Sequence, residues 1–183
     1  MAEPKPVEDK ISVAIESRAA LIRVEGRGSF KVSTSLKEFA TTAMAGGAQT
    51  AVVDMTDCIG MDSTFMGVLA GVAGRLKGRG GRMALVNLSP KTRALIATLG
   101  LDQIVAAFDE GQTPEEYRPF FGAQPMRQLA PQSESKRMTA ATMLEAHETL
   151  SNLTPENAPR FKDVLEFLRE DLRKKSEERG SSA

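Results

Sequence analysis

Met61-Asp62-Ser63-Thr64-Phe65-Met66-Gly67-Val68-Leu69 is the stretch of this sequence best equipped for chemistry. It follows the apolar run Ala51-Val52-Val53-Asp54-Met55 and opens a helical pattern. The order is therefore strand, short loop, then an Asp-Ser-Thr cluster in the first turn of a helix. A hydroxyl in that turn meets the positive end of the helix dipole and backbone N–H groups that have no intrahelical acceptor. Such a position suits an N-cap, and it equally suits a phosphate. The functional reading turns on which of the two Ser63 is.

Other reactive types are few. Cys58 is the only cysteine, which excludes an intramolecular disulfide and a cysteine-based zinc site. It reads as structural rather than redox-active. His147 is the only histidine and lies far along the chain on a separate tail helix, which argues against a Ser-His-Asp triad. Gly26-Arg27-Gly28-Ser29 and Gly78-Arg79-Gly80-Gly81 lack the Walker lysine and the GxGxxG order, so both read as turns. Asn87-Leu88-Ser89 and Asn152-Leu153-Thr154 match the glycosylation pattern but carry no meaning without a secretory signal. No metal site and no cofactor are expected.

The elements that position these residues follow from periodicity. Ile11–Ile15 and Ala20–Val24 alternate as strands joined by a short turn at Ser17-Arg18-Ala19, a hairpin. A helix over Val32–Ala45 carries Leu36, Phe39, Ala40 and Ala43 on one face and stops at Gly46-Gly47. Thr50–Met55 is a strand covered on both faces. The second helix runs from Ser63 to Lys77. Arg82–Asn87 is a fourth strand, Ser89-Pro90 opens a third helix that closes at Gly100, and Ile104–Phe108 is a fifth strand. Thr113-Pro114-Glu115-Glu116 starts a short helix to Phe121. Strands alternating with helices imply parallel pairing with right-handed crossovers after the antiparallel start, an α/β fold with a mixed sheet of about five strands.

The second helix carries two stripes. Phe65, Leu69, Val72 and Leu76 form one, and Gly67, Gly71, Gly74 and Gly78 the other, on roughly the opposite side. Either the glycines let this helix lie close to the sheet, or they face outward and offer bare backbone to a partner, flanked by Met66 and Arg75.

Residues 10–122 form one domain, with 1–9 a flexible lead-in. Residues 123–138 are rich in Pro, Gln and Ser and read as a linker. Residues 139–176 read as two helices, a C-terminal helical hairpin or extension. In the second of them Phe161, Val164, Leu165, Leu168 and Leu172 make one apolar stripe. Two such helices bury too little to stand alone, so they dock on the first domain, on a second copy or on a partner. Residues 177–183 are expected to be frayed.

Composition agrees with a globular chain: 183 residues, 41% hydrophobic, 26% charged. A formal net charge of +0 provides no field that would favour nucleic acid or anionic lipid. The polar N-terminus has no signal-type apolar stretch, and no run reaches the ~18 apolar residues of a membrane span. A cytoplasmic protein without membrane insertion is expected.

The element order, Gly26 after the second strand, Asp62-Ser63-Thr64-(x)2-Gly67-Val68-Leu69, the Gly80-Gly81 turn and Asn87-Leu88-Ser89-Pro90 together resemble the STAS domain, in particular the bacterial anti-sigma-factor antagonists. The match covers about residues 10 to 110 and leaves out the tail helices. The resemblance implies that Ser63, the first hydroxyl after the motif Asp, is the phosphorylated residue, with Thr64 a secondary acceptor. It implies an anti-sigma factor of kinase-like fold that phosphorylates Ser63 and binds its unphosphorylated form, freeing the sigma factor, and a phosphatase that restores it. Asp62 then either orients the hydroxyls, takes part in phosphotransfer, or is simply an acidic residue favoured at a helix start.

Phosphate would add ~1.5 to 2 negative charges at a spot the dipole tolerates. The fold survives, while the charge beside Asp62 repels an acidic partner surface and the bulk blocks docking. Partner contacts are expected from Asp62, Ser63, Thr64, Met66, Gly67, Gly71, Arg27 and Ser29. Phe65 stands where the family often has Gly, and Gly26-Arg27-Gly28-Ser29 lacks the acidic residue common in that loop. The alternative is a scaffold or adaptor subunit of a signalling or transporter assembly, in which Ser63 is only a cap and the tail helices drive assembly. A weak homodimer through those helices fits either reading. An enzyme is disfavoured by the lack of a nucleotide loop and of a histidine base near Ser63.

Overall fold

The computed structural model describes residues 8–122, 124–131 and 136–181. Two strands open the chain, β1 (Lys10–Glu16) and β2 (Ala19–Gly28), paired antiparallel about the tight turn. Helix α1 (Phe30–Ala45) leads to β3 (Thr50–Met61), α2 (Ser63–Gly78), β4 (Arg82–Leu88), α3 (Pro90–Thr98) and β5 (Ala106–Asp109). β2, β3, β4 and β5 pair in parallel, as the alternation of strands and helices requires. The described residues contain a sixth strand, β6 (Arg127–Gln128), giving the order β5-β4-β3-β2-β1-β6.

Period-two burial builds two cores of unequal size. Ile22, Val53, Met55, Met83 and Leu85 face the helices and join Leu36, Phe39, Phe65, Leu69 and Ile96 in the main core. Leu21, Val52, Ala84 and Val86 point the other way and meet Tyr117, which sits on a 3-10 turn over Glu115–Phe121. All the large helices therefore lie on one side of the sheet.

Three differences from the periodicity reading have physical causes. β2 and β3 run on to Gly28 and Met61, because two register shifts keep them paired beyond Gly26, whose φ of +73° a glycine adopts without strain. The segment read as a linker is partly ordered. β6 pairs with β1, Leu129 is buried, its N–H bonds the Ile11 carbonyl at 2.8 Å, and Ser35 Oγ bonds the Ala130 carbonyl. The tail forms α4 (Lys136–Ser151) and α5 (Asn157–Gly180), so the second helix extends past residue 176 into the stretch expected to fray. The expectations for residues 1–7, 123, 132–135 and 182–183 lie outside the described residues.

Both tail helices dock on the first domain. Asn157 Nδ2 donates to the Leu99 and Leu150 carbonyls at 2.9 and 2.8 Å, and Arg160 donates to Thr98, which fixes the start of α5 against the end of α3. Phe161 and Leu165 enter the main core. α4 lies across α1 and α2.

Candidate functional site

The site lies where β3 hands the chain to α2. Asp62 is the N-cap of α2: its backbone is extended and its Oδ1 accepts the Phe65 N–H at 2.8 Å. Its Oδ2 accepts the Phe30 N–H at 2.7 Å, and its own N–H bonds the Gly28 carbonyl. One carboxylate thus caps α2 and satisfies the first turn of α1, where Ser29 makes no side-chain cap bond. The sequence left the cap to Ser63. The structure gives it to Asp62, because only the extended residue before the helix can aim its side chain at the free N–H groups. Ser63 as a plain cap is thereby overturned.

Ser63 is the first helical residue and is half-buried. Its Oγ lies 2.9 Å from His147 Nε2 on α4. The other ring nitrogen, Nδ1, is 2.7 Å from the Met143 carbonyl. A carbonyl only accepts, so Nδ1 carries the hydrogen; in the neutral ring Nε2 is then bare and accepts the Ser63 O–H. His147 is buried, with Phe161 edge-on at 5.5 Å between ring centres. The tail histidine set aside on grounds of distance in sequence is therefore the partner of the central hydroxyl. Its third contact is a backbone carbonyl, not an Asp, so the constellation is not a Ser-His-Asp triad.

The other expected partner contacts divide by burial. Arg27 is exposed, its backbone N–H held by Asp9 Oδ1 at 2.8 Å, and Ser29 is half-buried. Phe30 and Ile59 expose large apolar groups at the same end of the sheet. Thr64, Met66 and Gly67 are buried, and Gly71 is half-buried. Thr64, the secondary acceptor candidate, lies in the first turn of α2 with its side chain buried.

Both stripes of α2 have a definite address. Phe65, Leu69, Val72 and Leu76 are buried in the main core. The phenyl ring of Phe65 lies over Gly28, where a Cβ would sit 2.5 Å from it, so the bulk at the helix start is accommodated by an absent side chain on β2. The glycine stripe does not meet the sheet. A Cβ on Gly67 would run into the Ala146 carbonyl and come within 2.7 Å of the Ala146 Cβ; one on Gly71 would touch Thr149 Oγ1 at 3.9 Å. Gly74 and Gly78 face open space. The idea that the glycines seat α2 on the sheet is overturned; they face outward, and the chain's own α4 covers the first two.

Cys58 is buried, and burial pushes its thiol pKa up, which disfavours the reactive thiolate. Among the described residues, no three His, Cys, Asp or Glu side chains converge as metal ligands would. A polar cluster that sequence reasoning missed sits on the far side of the sheet. Burial pushes the Asp54 carboxyl up, but bonds from Thr56, Asn87 and Arg23 outweigh it and hold the pKa below the usual carboxylate value. Asn87, at φ +58°, also accepts from Thr113 Oγ1. The available signal was an acid within the otherwise apolar run Ala51-Val52-Val53-Asp54-Met55.

Comparison with known proteins adds three findings. A family model described as "Mlab, STAS domain" matches residues 11–106. A crystal structure of a Thermotoga maritima protein assigned as an anti-sigma factor antagonist superposes with TM-score 0.52 at 19% identity, over 60% of this chain and 92% of that one. SpoIIAA, an anti-sigma factor antagonist, gives 0.49 unphosphorylated at 20% identity over 60% and 94%, and its phosphorylated Bacillus form gives 0.48 at 22% over 60% and 96%. No curated protein matches significantly. Among the described residues, no helix is long and apolar enough to cross a membrane.

Proposed function

We infer the function from one premise: this chain belongs to the STAS domain family, whose model spans more than half of it. The protein is an anti-sigma-factor antagonist that works in the cytoplasm by exchanging partners rather than by catalysis. Unphosphorylated, it binds an anti-sigma factor of kinase-like fold and so releases a sigma factor. That kinase phosphorylates Ser63, and a phosphatase reverses the step. Weak self-association, where it occurs, uses the outer side of α5, on which Phe167 is exposed.

The observation that carries this reading is the setting of the Ser63 hydroxyl. It occupies the first turn of α2, capped independently by Asp62, at an end of the sheet where Arg27, Phe30 and Ile59 are exposed. Phosphate there costs the helix neither its cap nor its dipole. It places a dense negative charge beside Asp62 and so changes what the surface can bind while leaving the sheet and α2 intact. The motif resemblance supplies the identity of the acceptor and of the partners.

A second reading draws on the Ser63–His147 bond. In a scaffold or adaptor that hydroxyl would be a structural bond between α2 and α4, never modified. The deciding experiment is intact-mass spectrometry of protein isolated from its own cells, with site mapping and a Ser63→Ala control. A phosphorylated fraction that maps to Ser63 and vanishes in the control supports the switch. No phosphate under any growth condition overturns it in favour of the scaffold.

A further inference from the structure

The α2 surface beside Ser63 has the build of a helix-accepting groove. Gly67 and Gly71 remove the side chains that would hold a second helix away, and α4 approaches so closely that Ala146 rests on the Gly67 backbone. Around this contact the bonds are polar and local. Thr34 Oγ1 donates to Thr142 Oγ1 at 3.0 Å, Lys37 pairs with Glu145, and Ser63 bonds His147 at 2.9 Å. Arg75 lies half-buried on the same side of α2 and donates to Thr41. Each of these polar groups is satisfied by water once the helices part, so separation leaves no orphaned charge, and its cost is the apolar surface of Leu150, Phe161 and Leu165, which the tail buries in the main core. The core stripe on the opposite side of α2 has no such option.

We propose that α4 is an internal competitor for the protein's partner: it fills the Gly67–Gly71 groove, masks Ser63, and is displaced by a helix of the anti-sigma factor. The displacing helix carries a small residue opposite Gly67 and a carboxylate opposite Lys37, the two features that seat α4. The identity of the displacing protein rests on the function proposed above; the groove and its masking do not. Ser63 is half-buried, and its hydroxyl is engaged by the imidazole 2.9 Å away, so full access to Oγ follows only when α4 lifts. The α4–α5 pair therefore sets how often the site is open, and a partner binds with an affinity reduced by the closed fraction.

The test uses the full chain. Ser63→Cys in a Cys58→Ala background reports exposure through its rate of alkylation by iodoacetamide, read by mass. Ala146→Arg, a wedge on α4 that leaves the groove intact, is expected to speed alkylation at least tenfold. Ala146→Gly, which leaves α4 seated, is expected to keep the slow rate of the parent. Hydrogen exchange on the unaltered protein guards against misfolding of the wedge variant. The α4 and α5 amides are expected to exchange together and at least tenfold faster than those of β3.

Equal alkylation rates with and without the wedge overturn the proposal. So does α4 protection equal to that of β3, which would make the tail part of one cooperative core. None of these readouts involves a kinase. A groove that opens with the wedge in a protein never phosphorylated at Ser63 would end the switch and keep the masking.

Discussion

The two sides of α2 are built on opposite plans. Toward the sheet, Phe65, Leu69, Val72 and Leu76 are at most 2% exposed and tie the helix into the main core. Toward α4, the same helix offers Gly67 and Gly71, and the contacts around them are small or polar. Burial of large apolar groups is costly to reverse, whereas small and polar contacts are nearly as content in water. One helix thus carries two kinds of contact, and lifting α4 and α5 from it costs the exposure of Leu150, Phe161 and Leu165 rather than of the α2 stripe itself. Ser63 stands at the boundary between the two.

The largest effect should come from the core side. Phe65→Ala removes a fully buried ring packed over Gly28, and a loss of about 3–5 kcal/mol is expected in urea denaturation. Restoring volume from β2, as in Phe65→Ala with Gly28→Val, should recover part of it. A loss below about 1 kcal/mol would mean that the two sides of α2 differ less than their packing says.

Next comes the residue that joins the two helix starts. Asp62→Ala leaves the Phe65 and Phe30 N–H groups without their acceptor and should cost about 1–2 kcal/mol, with Asp62→Asn closer to the parent. Ser63→Ala should cost less than Asp62→Ala, because Ser63 is not the cap. The reverse order, measured in the same denaturant series, would return the cap to Ser63 and weaken the case that its hydroxyl can be modified without loss of the helix cap.

Polar bonds count most where burial is permanent, and Asp54 tests this on the far side of the sheet. Its folded pKa is held below the unfolded value near 3.9, so the carboxylate is the form the fold favours. The stability it supplies is whole above that unfolded value and drains away as pH falls through the folded one. A single group adds at most about 1.4 kcal/mol per pH unit to the slope. Asp54→Asn should flatten the acid limb of the stability profile relative to the parent. Parallel limbs would show that Thr56, Asn87 and Arg23 do not favour the ionised form.

Much of this was legible in the sequence, and the failures have a common cause. The strand alternation, the antiparallel start and the apolar stripe of α2 are periodic signals that survive in any context. β6 is two residues long, Arg127-Gln128, and exists because β1 has a free edge, not because those residues prefer a strand. The cap was ambiguous by one position, since Asp62, Ser63 and Thr64 are all good capping types and only backbone geometry chooses. His147 lies 84 residues from Ser63, and no local pattern links them. The available hint was a lone histidine on the tail helix near Leu144 and Leu150. The outward glycine stripe was posed correctly as one of two alternatives, but its occupant, the chain's own tail, could not be read from spacing.

The smallest effect discriminates most finely, because it asks opposite signs of two equivalent substitutions. Gly74 faces open space, so Gly74→Ala should stabilise the protein by about 0.5–1 kcal/mol through helix propensity alone. Gly67→Ala gains the same propensity, but its Cβ meets the Ala146 carbonyl, a backbone atom that cannot swing aside. α4 must shift or leave, and the net change in global stability should be near zero or unfavourable. If undocking is separable from unfolding, Gly67→Ala will loosen α4 and α5 in hydrogen exchange while β3 keeps its protection. If both regions loosen together, the two sides of α2 form one cooperative unit. The same pair of substitutions thus tells whether the glycine stripe is a hinge surface or merely a thin part of the core.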